Sequence, residues 1–349
     1  MASLSSILRW SFISLLPTLV LSHPTISVAT YAPIPTEAIG PALGNAGWRI
    51  EDLGMGAYMV TDNEYQALFL VSTEGVIVVD APPTIGHNVL NAIANTTDIP
   101  VTHFVYSHAH ADHVGGAYLF GECVTRIAHK LTKEILEVAP DPNRPPPEIT
   151  FDDAYTLQVG NQTLQLSYKG LNHHPGNIFI HATQQKVLML IDIVFPGWAP
   201  YAYLGEAESI PGFIRAHDQV LQYDFDYFIG GHLTRSGTRE DVIVAKQYLD
   251  DLKTNCANAI FLTGQPPNAT NPTSAEVILP AVLAANPGNG WAAFKTILDD
   301  ATNYCANVTN EKWLGKLAGA DVYGFENAYA MLESLRIDYD ILGPFGVSP

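Results

Sequence analysis

The chain has 349 residues, 47% hydrophobic and 15% charged, with a formal net charge of −18. That composition supports a sizeable core, in one large domain or two modest ones, and excludes a disordered chain. Seventeen basic residues against 35 acidic ones exclude a phosphate-tracking surface, so nucleic acid and anionic membranes are not expected partners.

Residues 1–22 have the layout of a secretory signal peptide. Arg9 precedes the apolar run Trp10–Leu21, and Ser22 supplies a small residue for cleavage. The run is short for a bilayer span and contains Pro17, which favours a cleaved leader over an anchor. The mature chain is therefore expected to be secreted and free of the membrane. Sequons at Asn95, Asn161, Asn268 and Asn307 fit a glycosylated surface. Residues 23–47, rich in Pro, Ala and Thr, read as an extended arm.

From Trp48 the pattern is β. Arg49–Leu53, Ala57–Thr61, Ala67–Ser72 and Val76–Asp80 are short runs broken by Gly or polar turns. Ile85, Val89 and Ile93 recur every four residues, predicting a helix, and Val101–Tyr106 reads as a buried strand. A short helix around Gly116–Phe120, a strand at Val124–Ala128 and a helix at Thr132–Val138 follow, then a Pro-rich loop at 139–150. Gly160-Asn161 predicts a hairpin between Thr156–Val159 and Thr163–Tyr168. Ile178–His181 and Val187–Ile191 form another strand pair, residues 210–223 a helix, and Tyr227–Ile229 a short strand. Thr238 with Asp241 resembles a capping box opening a helix whose face is Val242, Ala245, Leu249 and Leu252. Beyond it the chain reads as helical, which divides it into a domain at 48–255 and a helical C-terminal extension at 256–349, packed on that domain. Cys256 and Cys305 both fall in that helical part and could pair in an oxidising compartment. Cys123, between Phe120 and Val124, reads as a buried filler.

Chemistry concentrates at residues 107–116. His108, His110, Asp112 and His113 fall within six residues, directly after the strand Val101–Tyr106. Neutral imidazole and carboxylate are the ligand set of borderline divalent metals, zinc above all. Three other places could complete such a site: His173-His174 at a turn, Asp192 after Val187–Ile191, and His232 after the Gly230-Gly231 pair. Each is unremarkable alone, but all lie at strand ends, where loops converge on one edge of a sheet.

In this order the motifs resemble those of the metallo-β-lactamase superfamily, over about residues 48–255. The resemblance implies an α/β (α+β) fold, a four-layer αββα sandwich with two metals along one edge. It places His108, His110 and His173 on the first metal, Asp112, His113 and His232 on the second, and Asp192 between them. His173 is preferred to His174 because it stands four residues before Asn177, as in the family's turn. The implied metals are two zinc ions, with iron or manganese as alternatives. His103, His129, His181 and His217 are given structural roles. A bound dication lowers the pKa of its water from 15.7 towards ~7, so metal-bound hydroxide can attack an acyl carbon. Asp112 would orient that nucleophile and take up its proton, and no Ser or Cys nucleophile is needed.

Broad-range β-lactamases of the family carry a Cys in the second metal's ligand set and lack the bridging Asp. With His232 and Asp192 this chain is more similar to the family's thioesterases, lactonases, arylesterases and phosphodiesterases. The expected enzyme is a metallo-hydrolase acting on a small, largely apolar ester or lactone, with a lactam as runner-up. The charge disfavours phosphodiesters, and an iron-dependent redox enzyme on the same ligands is the alternative from another reaction class. Arg235 stands where β-lactamase relatives place a Lys that grips a substrate carboxylate, and its planar fork would suit that anion. Trp198, Tyr201 and Tyr203 follow Asp192 closely and could wall an apolar pocket, a face the helical tail could also cover.

Overall fold

The computed structural model describes residues 29–268, 271, 273–341 and 343, so the expected leader lies outside the described residues. Its first sheet contains β1 (Arg49–Gly54), β2 (Ala57–Thr61), β3 (Gln66–Val71), β4 (Val76–Val79), β5 (Val101–Val105), β6 (Thr125–His129) and β7 (Ile149–Phe151), in that order. Pairing is antiparallel up to β4 and parallel from β4 to β7. The second sheet contains β8 (Ala154–Val159), β9 (Gln162–Ser167), β10 (Phe179–Ala182), β11 (Val187–Met189) and β12 (Tyr227–Ile229). Its pairing is antiparallel except between β11 and β12.

Alternation along the strands explains the layers, because successive side chains leave opposite faces of a sheet. On β3, Leu68 and Leu70 join a core with Leu164, Ile180 and Met189 of the second sheet. Their neighbours Ala67 and Phe69 face the other way, into a cluster with Val89 and Ile93 of α1 (Gly86–Thr96). That outer cluster also takes in Val114 of the single-turn α2 (Ala111–Val114) and Leu136 of α3 (Lys130–Val138). The second sheet repeats the pattern. Met189 faces inward while Leu188 and Phe228 pack outward against α5 (Ile210–Val220), α6 (Arg239–Thr263), α8 (Gly290–Trp313) and α9 (Gly324–Ile337). Two buried sheets with helices on both sides form the αββα sandwich. α7 (Ala275–Ala285) packs on α8 through Ile278 and Ile297.

Several expectations change. Residues 139–150 are not all loop: Ile149–Phe151 is β7, held by parallel pairing to β6. Position 255 falls inside α6, a 25-residue helix whose Thr238–Asp241 capping box is formed. Cys123 is exposed rather than buried, because the backbone turns at Gly121 (φ 74°) and Phe120 and Val124 fill the core instead. Cys256 and Cys305 are joined in a buried disulfide linking α6 to α8. Asn95, Asn161, Asn268 and Asn307 are all exposed. Among the described residues no helix is long and apolar enough to cross a membrane.

One short segment is unusual. α4 (Ala202–Glu206) is not a right-handed helix: Tyr203, Leu204, Gly205 and Glu206 have φ of 55°, 58°, 70° and 52°. Left-handed backbone costs an L-residue roughly 1–2 kcal/mol, so a run of four such residues, three of them non-glycine, needs support from outside the turn.

Candidate metal centre

The His-rich stretch leaves β5 at the edge where β4 also ends. Asp80, just past β4, accepts a hydrogen bond from the Ser107 N–H (2.8 Å) and is fully buried, which pushes its pKa up to about 6. Ser107 in turn fixes the next ring, its Oγ lying 2.9 Å from His108 Nδ1. This leaves His108 Nε2 buried without a hydrogen-bond partner, aimed at the other candidates. α2 then presents Asp112 and His113 from one turn. Gly115 and Gly116 close it, since a Cβ at Gly116 would lie 2.7 Å from the Ala81 carbonyl oxygen.

Three distant pieces meet this loop. Asn172 Oδ1 accepts from the His173 N–H (2.6 Å) and from Asn177 Nδ2, which also donates to the Ile191 carbonyl (2.9 Å). The spacing from His173 to Asn177 thus ties that turn to the segment carrying Asp192. Asp192 adopts φ 62°, and its N–H donates to the Gly230 carbonyl. Gly231 must lack a side chain, because a Cβ there would lie 2.8 Å from Ile191 and 3.0 Å from the His113 ring. His232 follows it at the end of β12.

Asp192 is the hub. Its Oδ2 lies 3.6 Å from His108 Nε2, 3.1 Å from His113 Nε2 and 3.3 Å from His173 Nε2, and its Oδ1 lies 3.1 Å from His232 Nε2. Ring nitrogens also face one another, His110 Nδ1 to His173 Nε2 at 3.0 Å and His113 Nε2 to His232 Nε2 at 3.1 Å. Two clusters result: His108, His110, His173 and Asp192, and Asp112, His113 and His232. Donor atoms 2.0–2.1 Å from one tetrahedral ion stand about 3.3 Å apart, so these spacings suit shared divalent cations. The buried, partnerless His108 Nε2 needs such an electrophile for the same reason that any buried polar atom needs a partner.

Protonation agrees with a ligand role. Burial, with His173 and His113 close by, holds His108 well below the ordinary imidazole range, and burial brings His173 down to about 4. Asp192 is held far below the carboxylate range by His113 and His173 although burial opposes it. His113 is raised to about 9 by Asp192 against its own burial, so a cation loaded there displaces a proton.

The cluster forms the floor of a cavity of about 820 Å³. Phe195, Trp198, Tyr201 and Tyr65 line it from the domain, and Gly319, Val322 and Tyr323 from the extension. Glu64 and Glu206 also line it, and no Lys or Arg does among the described residues. Trp198 and Tyr201 therefore stand where the sequence suggests a pocket wall. Tyr203 does not: the left-handed turn takes its ring out of the lining, and it is half exposed. Nor does Arg235, whose guanidinium makes two bonds to Asp241 (2.6 and 3.0 Å) and donates to the Glu37 and Ser236 carbonyls. Arg235→Ala is thus expected to lower stability by about 1–2 kcal/mol in denaturant melts and to leave KM unchanged for acidic and neutral substrates alike. A KM rise confined to acidic substrates would return Arg235 to the pocket. His174 stays outside both clusters, its ring tilted against that of His110 at 4.1 Å and its Nε2 3.6 Å from Glu208.

Tyr65 and Gln66 escape the sequence reading, as do Val322 and Tyr323 of the extension. Tyr65 packs its ring 4.7 Å from that of His232, with its hydroxyl 3.5 Å from Asp112 Oδ2. Burial and the nearby carboxylates raise its pKa to about 12, so it keeps its proton at neutral pH. Buried Gln66 donates to the carbonyls of His232, Leu233 and Arg235, fixing the loop that carries His232. A glutamine opening the apolar run Ala67–Val71 is the signal that could have found it.

Comparison with known proteins agrees with this geometry. The family model for the metallo-beta-lactamase superfamily matches residues 61–232, which contain all seven ligand candidates and stop short of α6. The 2,4-dinitroanisole O-demethylase subunit alpha of Nocardioides sp. (strain JS1661) is 26% identical over 188 residues, 52% of this chain and 57% of that protein. The metallo-beta-lactamase type 2 of Elizabethkingia meningoseptica is 28% identical over 171 residues, 48% of this chain and 68% of that protein. The chain thus spans little more than half the length of the demethylase subunit. A solved metallo-beta-lactamase from Pontibacter korlensis superposes with a TM-score of 0.51 at 19% identity, covering 58% of this chain and 99% of that one, a likeness of fold alone. With its two-sheet sandwich, its His/Asp cluster at one edge and the family match across both, the chain belongs to the metallo-β-lactamase superfamily.

Proposed function

We propose that this protein is a secreted metal-dependent hydrolase that cleaves a C–O bond in an uncharged, apolar or aromatic substrate, with an ester or lactone as the first choice. The observation that carries the reading is the pairing of the seven-ligand cluster with a cavity whose lining is aromatic and acidic and, among the described residues, lacks Lys and Arg. Two divalent ions bound there, zinc in the first instance, would supply Lewis acidity and bring the pKa of the water they carry towards neutrality. The chain's own contribution is positional. Asp192 sets the separation of the two imidazole groups, and Ser107, Asn172 and Gln66 orient His108, His173 and His232. Asp112, with its side chain 43% exposed to the cavity side, is placed to hold a proton during hydrolysis. The aromatic walls exclude water from the acyl group.

A second reading keeps the same site and changes the bond. One relative is named for O-demethylation of 2,4-dinitroanisole, an aryl ether, and the rings of Phe195, Trp198 and Tyr201 suit an aryl group. A lactam substrate is disfavoured where its carboxylate would meet Glu64 and Glu206. Residues 1–22, the buried disulfide and the exposed sequons support secretion.

The test is metal analysis of the purified protein, followed by assay against aryl esters, lactones, an aryl methyl ether and a β-lactam, with and without chelator. Two metals per chain and ester or lactone hydrolysis that chelator abolishes and metal restores are expected. Less than one metal per chain with no hydrolysis of the panel overturns the proposal. Bound iron with oxygen consumption replaces it by a redox enzyme.

A further inference from the structure

The left-handed turn at Tyr203–Glu206 sits between two metal-ligand candidates and touches both. A Cβ at Gly205 would lie 3.1 Å from the Asp192 carbonyl oxygen, and just after the turn the Glu208 N–H donates to the His173 carbonyl at 2.8 Å. The support for this backbone comes from the extension. Asn327, fully buried on α9, accepts the Leu204 N–H on its Oδ1 (2.7 Å) and donates from its Nδ2 to the Pro200 carbonyl (2.9 Å). One side-chain amide thus grips the segment on both sides of Tyr201–Tyr203. Neighbouring residues extend the grip: the Ala199 N–H donates to the Ala318 carbonyl and the Ala318 N–H to the Gly197 carbonyl, each at 3.0 Å. The Tyr323 ring then meets that of Tyr201 at 4.8 Å across the cavity wall.

We infer that Asn327 is a positioning residue, and that residues 318–327 make the C-terminal extension a specificity element of the metal centre. They hold a strained turn in place and complete the apolar wall with Val322 and Tyr323. The inference rests on the hydrolase reading and deepens it. The substrate's distal group is apolar, larger than methyl, and seated between Trp198, Tyr201 and Tyr323. None of residues 318–327 lies in the stretch matched by the superfamily model, so this wall belongs to the chain rather than to the shared domain.

Three variants in the full chain test it: Asn327→Ala, Asn327→Asp, which keeps an acceptor for the Leu204 N–H, and Tyr323→Ala, which leaves the clamp intact. Hydrogen exchange reads the clamp directly. Asn327→Ala should speed exchange in the peptide covering 200–208 by at least about tenfold, and Asn327→Asp should restore part of the protection. A series of 4-nitrophenyl esters from acetate to octanoate reads specificity. The octanoate-to-acetate ratio of kcat/KM should fall by about tenfold in Asn327→Ala and Tyr323→Ala, through KM for the long esters, with metal content unchanged. Calorimetric binding of 4-phenylbutan-1-ol, an uncharged probe, should weaken in parallel. If the wild type binds less than one metal and hydrolyses neither these esters nor the lactones and ether of the panel, the hydrolase reading fails while this binding still judges the wall. An unchanged ester ratio or unchanged probe affinity in Tyr323→Ala overturns the inference, as does unaltered exchange at 200–208 in Asn327→Ala. Should Asn327→Ala fail to fold, Asn327→Asp and Tyr323→Ala carry the test.

Discussion

Asp192→Ala is expected to lose more than one metal per chain and to lower hydrolysis by well over 100-fold. The bound is set by partners that act only through a ligand, whose loss costs about 10–100-fold in affinity or activity; Asp192 is itself the shared group. Four imidazole Nε2 atoms lie within 3.6 Å of its two oxygens, so its loss disturbs both clusters at once. It also removes the one carboxylate among the buried candidates, leaving His113 to Asp112 at 3.4 Å and taking from His108 and His173 the carboxylate they face. Asp192→Asn keeps the shape but not the charge and should fall between the variant and the wild type. Metal analysis by mass spectrometry and kcat/KM on the best ester read both effects, and circular dichroism checks the fold. Full metal occupancy with activity within threefold of wild type would remove Asp192 from the centre.

How far the site was legible follows from how local each signal is. His108, His110, Asp112 and His113 come from one short stretch, while His173 lies in the turn between β9 and β10, and Asp192 and His232 shortly follow β11 and β12, strands that alternation or β-branched content reveals. Residues fixed by tertiary contact were not legible. β7 is three residues long and exists because β6 offers it a parallel edge, so no periodicity could announce it. Tyr203 sits in an aromatic-rich segment, yet a left-handed turn held from residue 327 decides which rings face the cavity. Val322 and Tyr323 reach the pocket from more than 80 residues beyond His232, a distance at which sequence pattern is silent. Arg235 is a different case, since Asp241 was visible as a capping residue. Its carboxylate serves both the helix N-terminus and the guanidinium, through Oδ2 at 2.8 Å from the Thr238 N–H and the two bonds to Arg235. A capping carboxylate six residues from a cation is a reason to expect that cation to be engaged.

The disulfide carries the other large effect, on stability rather than chemistry. Cys256 and Cys305 are 49 residues apart and close a loop that contains all of α7 and most of α8. Loop-closure entropy for that length corresponds to about 4 kcal/mol, and native disulfides removed from small domains typically cost about 2–5 kcal/mol. Part of the fold would survive without it, because α6, α8 and α9 also share the core of Leu249, Leu252, Leu298, Ala301, Met331 and Leu332. Burying each such Leu is worth roughly 1.5–3 kcal/mol. The paired substitution Cys256→Ser/Cys305→Ser is therefore expected to lower unfolding free energy by about 2–4 kcal/mol without abolishing folding, as read by denaturant titration. Serine places two hydroxyls in a buried site, so Cys256→Ala/Cys305→Val separates lost cross-linking from unsatisfied polarity. Because Asn327 on α9 holds the turn beside Asp192, loosening α6 and α8 should reach the pocket as well. The double variant should then show a weaker preference for long esters at temperatures where it is still folded. An unchanged preference together with the loss of stability would mean that α9 keeps its place through packing alone.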